Sequence, residues 1–175
     1  MAVDVPVQRE TAHNIHASAV VLGEAGVLIR GAPGAGKSAL ASQLICDAPA
    51  KGLFSQLVGD DRIILKAAGG RLIARPHPSL SGLIEQRWEA IVRVPHQPSA
   101  VLHCVVDLVA LAPQQLERLP EAAQDRFVWR DISLPRLVLP AALGSAAQAR
   151  RVLGFIGRLN RAEFTGLSHF ALANS

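Results

Sequence analysis

Residues 31–38, Gly-Ala-Pro-Gly-Ala-Gly-Lys-Ser, fit the spacing G-x-x-x-x-G-K-[ST], with Gly31, Gly36, Lys37 and Ser38 at the fixed places and Ala32, Pro33, Gly34 and Ala35 between them. Glycines let consecutive backbone N–H groups turn inward on a phosphate with no Cβ in the way. A lysine here reaches the β- and γ-phosphates, and the serine hydroxyl can ligate Mg²⁺. The chemistry is nucleotide binding, with ATP and Mg²⁺ as the expected pair. A flexible surface turn could carry the same spelling, so the flanking elements decide. The apolar AGVLIRG before the loop reads as a buried strand over Val27–Ile29. KSALASQLICDA after it reads as a helix to about Cys46, with Leu40 and Leu44 four apart. Strand, glycine turn and helix in that order point the positive end of the helix at the anion.

A phosphoryl-transfer site needs a second Mg²⁺ anchor and a group that orients or deprotonates the nucleophile. Two acidic places compete. Asp107 ends the run VLHCVV, as a metal-binding aspartate at a strand end does. Asp60 and Asp61 follow QLV and Gly59, just past the loop helix. Adjacent carboxylates repel each other, an objection that a metal beside one of them removes. One of the pair could then take a proton while the other addresses metal or water. A turn rich in aspartate is the plain alternative. His16 lies fifteen residues before Gly31 and, by spacing alone, reads as a surface histidine.

The elements that must hold these residues are short. IHASAVVLGEAGVLIRG reads as two strands about a turn at Gly23–Gly26. Pro49 and Gly52 end the first helix. FSQLVGDDRIILKAAGGRLIARP reads as strand, acidic pair, strand, a Gly69–Gly70 hairpin turn and another strand. SLSG offers serines to cap a helical turn, AIVRV is β-like, and AVLHCVVDLVAL reads as a central strand. A polar, partly helical connection over 112–127, broken at Pro120, precedes the short strand LPRLVLP. A last helix starts near Ser145 as its N-cap. Its apolar face is Ala149, Val152, Leu153, Ile156 and Leu159, with Arg150, Arg151, Arg158 and Arg161 outside it. Residues 161–175 read as a tail or docking segment. The fold class is α/β, a mixed sheet with hairpins and few helices, and not a doubly wound parallel sheet.

The 175 residues suit one domain. No apolar run approaches the length that crosses a bilayer, and the N-terminus shows no signal-peptide pattern, so a cytoplasmic protein without membrane contact is expected. Cys46 and Cys104 fit no metal spacing and are expected to be buried free thiols. The net charge of +4 comes with 4% aromatics and no tyrosine. That excludes a stacking nucleic-acid platform and leaves an acidic protein or phosphate as the partner of a basic face, with plain solvated surface as the alternative.

Taken in order, His16, the loop, the paired aspartates of LVGDDRI, the Glu85-x-Arg87 of GLIEQRWEAIVRV and the strand LPRLVLP resemble the catalytic domain of HPr kinase/phosphorylase over about residues 14–160. The resemblance implies a single P-loop kinase domain of the phosphoenolpyruvate carboxykinase-like type, assembled as a homo-hexamer. It implies an ATP-dependent serine kinase acting on the phosphocarrier protein HPr in carbohydrate regulation, with dephosphorylation by phosphorolysis and pyrophosphate as a further donor. By residue, Lys37 would hold phosphate, Ser38 and Glu85 would ligate Mg²⁺, Asp61 would be the base, and His16 would sit beside it with Asp60. Without the resemblance, Glu85 and Arg87 read as a solvated helix face.

Three features depart from the family's pattern. Full-length members carry an extra N-terminal domain that is not expected here, and the family's short forms, which consist of the catalytic domain, resemble this chain better. Trp88-Glu89-Ala90 stands where the family has Gly-Leu-Gly. The family's arginine-bearing loop, which serves dephosphorylation, aligns with PAALGSAAQ at 140–148, which holds no arginine; Arg150 and Arg151 are the nearest substitutes. These departures motivate a nucleotide-binding regulatory module without catalysis as a second reading. A small-molecule P-loop kinase is a third, weakened by the lack of an evident lid with clustered arginines.

Overall fold

The computed structural model describes residues 13–85, 91–111 and 126–172. Eleven strands and two α-helices lie within them. The strands are β1 (His13–Ile15), β2 (Ser18–Leu22), β3 (Ala25–Gly31), β4 (Ser55–Gly59), β5 (Ile63–Ala68), β6 (Arg71–Pro76), β7 (Leu83–Glu85), β8 (Ile91–Arg93), β9 (Ala100–Val109), β10 (Arg126–Trp129) and β11 (Ile132–Pro140). The helices are α1 (Lys37–Asp47) and α2 (Ser145–Leu172). Nine strands form one mixed sheet in the order β1-β5-β6-β9-β3-β2-β4, with β11 also on β9 and β10 on β11. The pairs β3–β9 and β11–β9 are parallel, while β2 lies antiparallel to both β3 and β4. β7 and β8 make a separate antiparallel pair.

The alternation of β3 explains the two-sided core. Val27 and Ile29 point to one face with Leu40, Leu44, Val152 and Ile156 of the two helices. Leu28 points to the other, with Val58, Leu65, Val105 and Phe127. α2 buries Ala149, Val152, Leu153 and Ile156 of its expected face, adds Phe155, half-buries Leu159, and leaves Arg150, Arg151, Arg158 and Arg161 exposed. The Gly69–Gly70 turn has both residues at positive φ, 56° and 70°, the backbone a two-residue hairpin needs.

Several expectations change. Ser145 is the first helical residue and Gly144 takes the cap place, its carbonyl accepting from the Gln148 amide at 3.0 Å. α2 runs on to Leu172, so 161–172 is helix rather than tail. Cys46 is exposed on α1, while Cys104 is buried and its thiol is pushed up to about 12 by that burial. The turn Pro78–Leu80 is capped by the His77 side chain, which accepts from the Ser79 amide at 3.4 Å, and not by a serine. Glu85 ends a strand rather than lying on a helix, because β7 pairs with β8. Of the polar, partly helical connection expected over 112–127, residues 112–125 lie outside the described residues, as do 86–90, while Arg126 and Phe127 open strand β10 instead. No helix among the described residues is long and apolar enough to cross a membrane.

β3 and β9 approach closely at Gly26, where the pairing register shifts. A Cβ at Gly26 would lie 2.2 Å from the Val101 carbonyl oxygen and 2.9 Å from its carbon, so the two backbones would have to part. Gly26→Ala is therefore expected to cost about 1–3 kcal/mol, read by urea unfolding as a lower midpoint at unchanged slope.

Candidate active site

The loop between β3 and α1 has the backbone that its glycines allow. Gly34 and Gly36 sit at φ 77° and 93°, and Gly36 is the N-cap of α1, its carbonyl accepting from the Leu40 amide at 2.9 Å. No side chain caps α1, so its first N–H groups are left for a ligand. Ala32, Pro33 and Gly34 are exposed at the crest of the loop.

Lys37 is buried beneath that crest. Its ammonium donates to the Gly31 and Ala32 carbonyls, both at 3.1 Å, and contacts His16 Nε2 at 2.9 Å. Burial pushes the Lys37 pKa down, against an upward pull from the charges of Asp60 and Asp61, and the lowering wins. His16 Nδ1 lies 2.9 Å from Asp61 Oδ1 and 3.0 Å from the Asp61 carbonyl oxygen. Oxygen acceptors at Nδ1 and an ammonium at Nε2 are both satisfied by the tautomer with its proton on Nδ1. The histidine that spacing alone assigns to the surface thus bridges the loop lysine and a carboxylate.

The adjacent aspartates face different ways. Asp60 is 4% exposed and accepts from Ser18 Oγ at 2.5 Å and Ser38 Oγ at 3.0 Å through Oδ1, and from the Glu85 amide at 3.3 Å through Oδ2. Asp61 sits in the left-handed region at φ 65°, with its side chain 57% exposed. Aspartate tolerates that conformation better than most residues, at a cost of about 1 kcal/mol. His16, Gly34, Gly36, Lys37, Ser38, Ala39, Ser42, Asp61 and Glu85 line one cavity of about 420 Å³.

Asp107 is differently placed. It accepts bidentately from Arg30 at 2.7 Å for both bonds, and from Arg136 Nε at 2.6 Å. Arg30 also stacks over the Phe127 ring, 4.4 Å from its centroid. Asp107 is thus committed to two guanidinium groups, whereas Asp60 touches the loop serine. The set around Ser38 fits Mg²⁺: its hydroxyl and Glu85 line the same cavity, and the buried Asp60 carboxylate backs that hydroxyl at 3.0 Å, all hard oxygen donors.

The sequence reading missed Ser18, Ala39 and Ser42. Ser42 had a signal, lying one helical turn after Ser38 on the same face of α1. Ser18 had another, a lone hydroxyl inside the apolar run Ala17–Leu22. Arg150 and Arg151 are exposed on α2, and neither lines the loop cavity.

No family model matches the chain. It is 30% identical over 138 residues to the HPr kinase/phosphorylase of Mycoplasma mycoides subsp. mycoides SC, a match taking in 74% of this chain and 42% of that protein. The chain therefore spans less than half the length of the curated relative it matches. Among solved structures it is similar to the Hpr(Ser) kinase/phosphatase from Coxiella burnetii, with a TM-score of 0.70 at 26% identity, covering 90% of this chain and 98% of that one. The large mixed sheet with few helices, expected from the sequence, agrees with that likeness.

Burial pushes the Asp107 carboxyl up, but hydrogen bonds and charge from Arg30 and Arg136 outweigh it and hold the group below the usual carboxylate range. Its contribution is then complete above the unfolded value, near pH 4, and fades as pH falls through the lower folded value. Asp107→Asn should cost about 3 kcal/mol at pH 7, since it leaves two guanidinium groups without their counter-charge. Urea unfolding of both proteins at pH 7 and below pH 4 checks this: the gap is expected to narrow in acid.

Proposed function

The chain belongs to the HPr kinase/phosphorylase family, and from that premise we propose that it is an ATP- and Mg²⁺-dependent serine kinase of HPr, built on a P-loop fold of the phosphoenolpyruvate carboxykinase-like type. The observation that carries the reading is one cavity in which a phosphate cradle and an exposed carboxylate meet. Asp61 reaches His16 at 2.9 Å, and His16 reaches Lys37 of the loop at 2.9 Å. A structural turn has no need for an aspartate held in left-handed backbone beside the loop lysine.

In this reading the loop amides and the N-terminus of α1 hold the nucleotide phosphates, and Lys37 balances their charge. Ser38 and Asp60 would hold Mg²⁺, with Glu85 beside them, and the ion supplies further neutralisation of the transferred phosphoryl oxygens when bound. Asp61 takes the proton of the substrate serine as its oxygen bonds to the γ-phosphorus and the bond to the nucleotide breaks. The His16 Nδ1–H steadies the carboxylate that does so. Phosphorolysis would run the same path backward, the protonated Asp61 returning its proton to the serine oxygen as inorganic phosphate takes the phosphoryl group and leaves as pyrophosphate, but it would do so without the family's loop arginine, since 140–148 holds none. By microscopic reversibility, pyrophosphate can then serve as a donor. HPr is a protein, so it needs an outer surface to dock on. The exposed Arg150, Arg151 and Arg158 of α2 suit an acidic partner.

Transfer of labelled phosphate from ATP–Mg²⁺ to purified HPr tests the proposal. Asp61→Ala is expected to lower transfer at least 100-fold while nucleotide binding persists. Transfer that survives the substitution removes Asp61 as base. Nucleotide binding by the wild type without transfer to HPr supports the regulatory module instead.

A further inference from the structure

We infer that Ser18 is a positioning residue for the Mg²⁺–nucleotide site, its buried hydroxyl fixing the Asp60 carboxylate in the orientation that the metal needs. The inference rests on the reading of Ser38 and Asp60 as the Mg²⁺ anchor. Ser18 opens β2 and is fully buried, in a run where Ala17, Ala19, Val20 and Leu22 are equally buried and apolar. A hydroxyl in such a place costs free energy unless it is bonded, and alanine would pack as well. The hydroxyl spends its proton on Asp60 Oδ1 at 2.5 Å.

Asp60 Oδ1 also accepts from Ser38 at 3.0 Å, and Oδ2 accepts from the Glu85 amide at 3.3 Å. Ser38 lines the cavity and would ligate the ion through its oxygen, whereas neither Ser18 nor the buried Asp60 lines it, so Asp60 would act on the ion from behind Ser38. Ser18 therefore works through Asp60 and touches neither nucleotide nor acceptor. Its backbone is equally placed for the task. β2 pairs with β4 through a register shift at Ala19/Val20, beside the Gly59 that leads into Asp60. Partners of this outer kind hold a ligand's rotamer, and losing one typically weakens metal binding 10- to 100-fold.

The test is titration of a fluorescent ATP analogue against increasing Mg²⁺ and in EDTA, for wild type, Ser18→Ala and Ser18→Thr, with urea unfolding of each. Ser18→Ala should raise the half-saturating Mg²⁺ about tenfold. Its constant in EDTA should move less than about twofold, since the loop amides and Lys37 are untouched. Ser18→Thr, which keeps the hydroxyl, should restore the Mg²⁺ requirement. If Ser18→Ala does not fold, Ser18→Cys, a near-isosteric weak donor, carries the same comparison. An unchanged Mg²⁺ requirement alongside lowered stability overturns the inference and leaves Ser18 a partner of Asp60 in packing alone. A wild type whose nucleotide affinity ignores Mg²⁺ sinks the anchor reading itself, and the inference with it.

Discussion

A single carboxylate ties three parallel strands together beneath the loop. Asp107 on β9 receives Arg30 from the last turn of β3 and Arg136 from β11, all within 2.7 Å. Such a buried cluster adds little net stability over an apolar one of equal volume, because desolvation consumes most of the attraction. What it does supply is register. Arg30 lies opposite Asp107 in the β3–β9 pairing, and a slip of one residue would send the guanidinium to the wrong face of the sheet. The loop begins at the next residue, Gly31, so the height at which its amides meet a phosphate is set by this pairing.

The floor also governs what the acids can do. β4 runs antiparallel to β2 and delivers Asp60 and Asp61 at the same end of the sheet as the loop. Burial and exposure then set two identical side chains apart. Asp60, enclosed and satisfied by three donors, is a fixed point suited to a cation. Asp61, turned outward by its left-handed backbone, remains open to solvent and to an incoming hydroxyl. The same charge at both places would be self-defeating without Lys37 between them and the loop.

The loop, its helix, the Gly69–Gly70 hairpin and the apolar face of α2 were legible because local rules decide them. Glycine spacing, a two-residue turn and a 3.6-residue period need no knowledge of distant contacts. Asp107 was not legible. On spelling it equals Asp60 as a metal anchor, and what separates them is two arginines, one of them 77 residues away in the chain. Spacing alone made His16 a surface residue, and it is exposed, but its contacts with Lys37 and Asp61, 21 and 45 residues away, have no local signal; only the family resemblance put it beside Asp61. Glu85 was misread as helical because a three-residue strand carries too little pattern to announce itself. Cys46 was expected inside because its neighbours are apolar, yet α1 turns it to solvent while Leu40, Ala41 and Leu44 take the core.

Lys37 joins the floor to the chemistry. Burial disfavours its charge and outweighs the upward pull of Asp60 and Asp61, so its pKa is lowered although two carboxylates lie near it. Its bonds to two loop carbonyls and to the His16 lone pair are the neutral substitutes the protein can offer. In the proposed reading, a phosphate in the loop would replace part of the hydration lost by that burial, at the place where α1 turns its first amides. The lysine that the loop has to bury would then count beside the amides that its glycines turn inward.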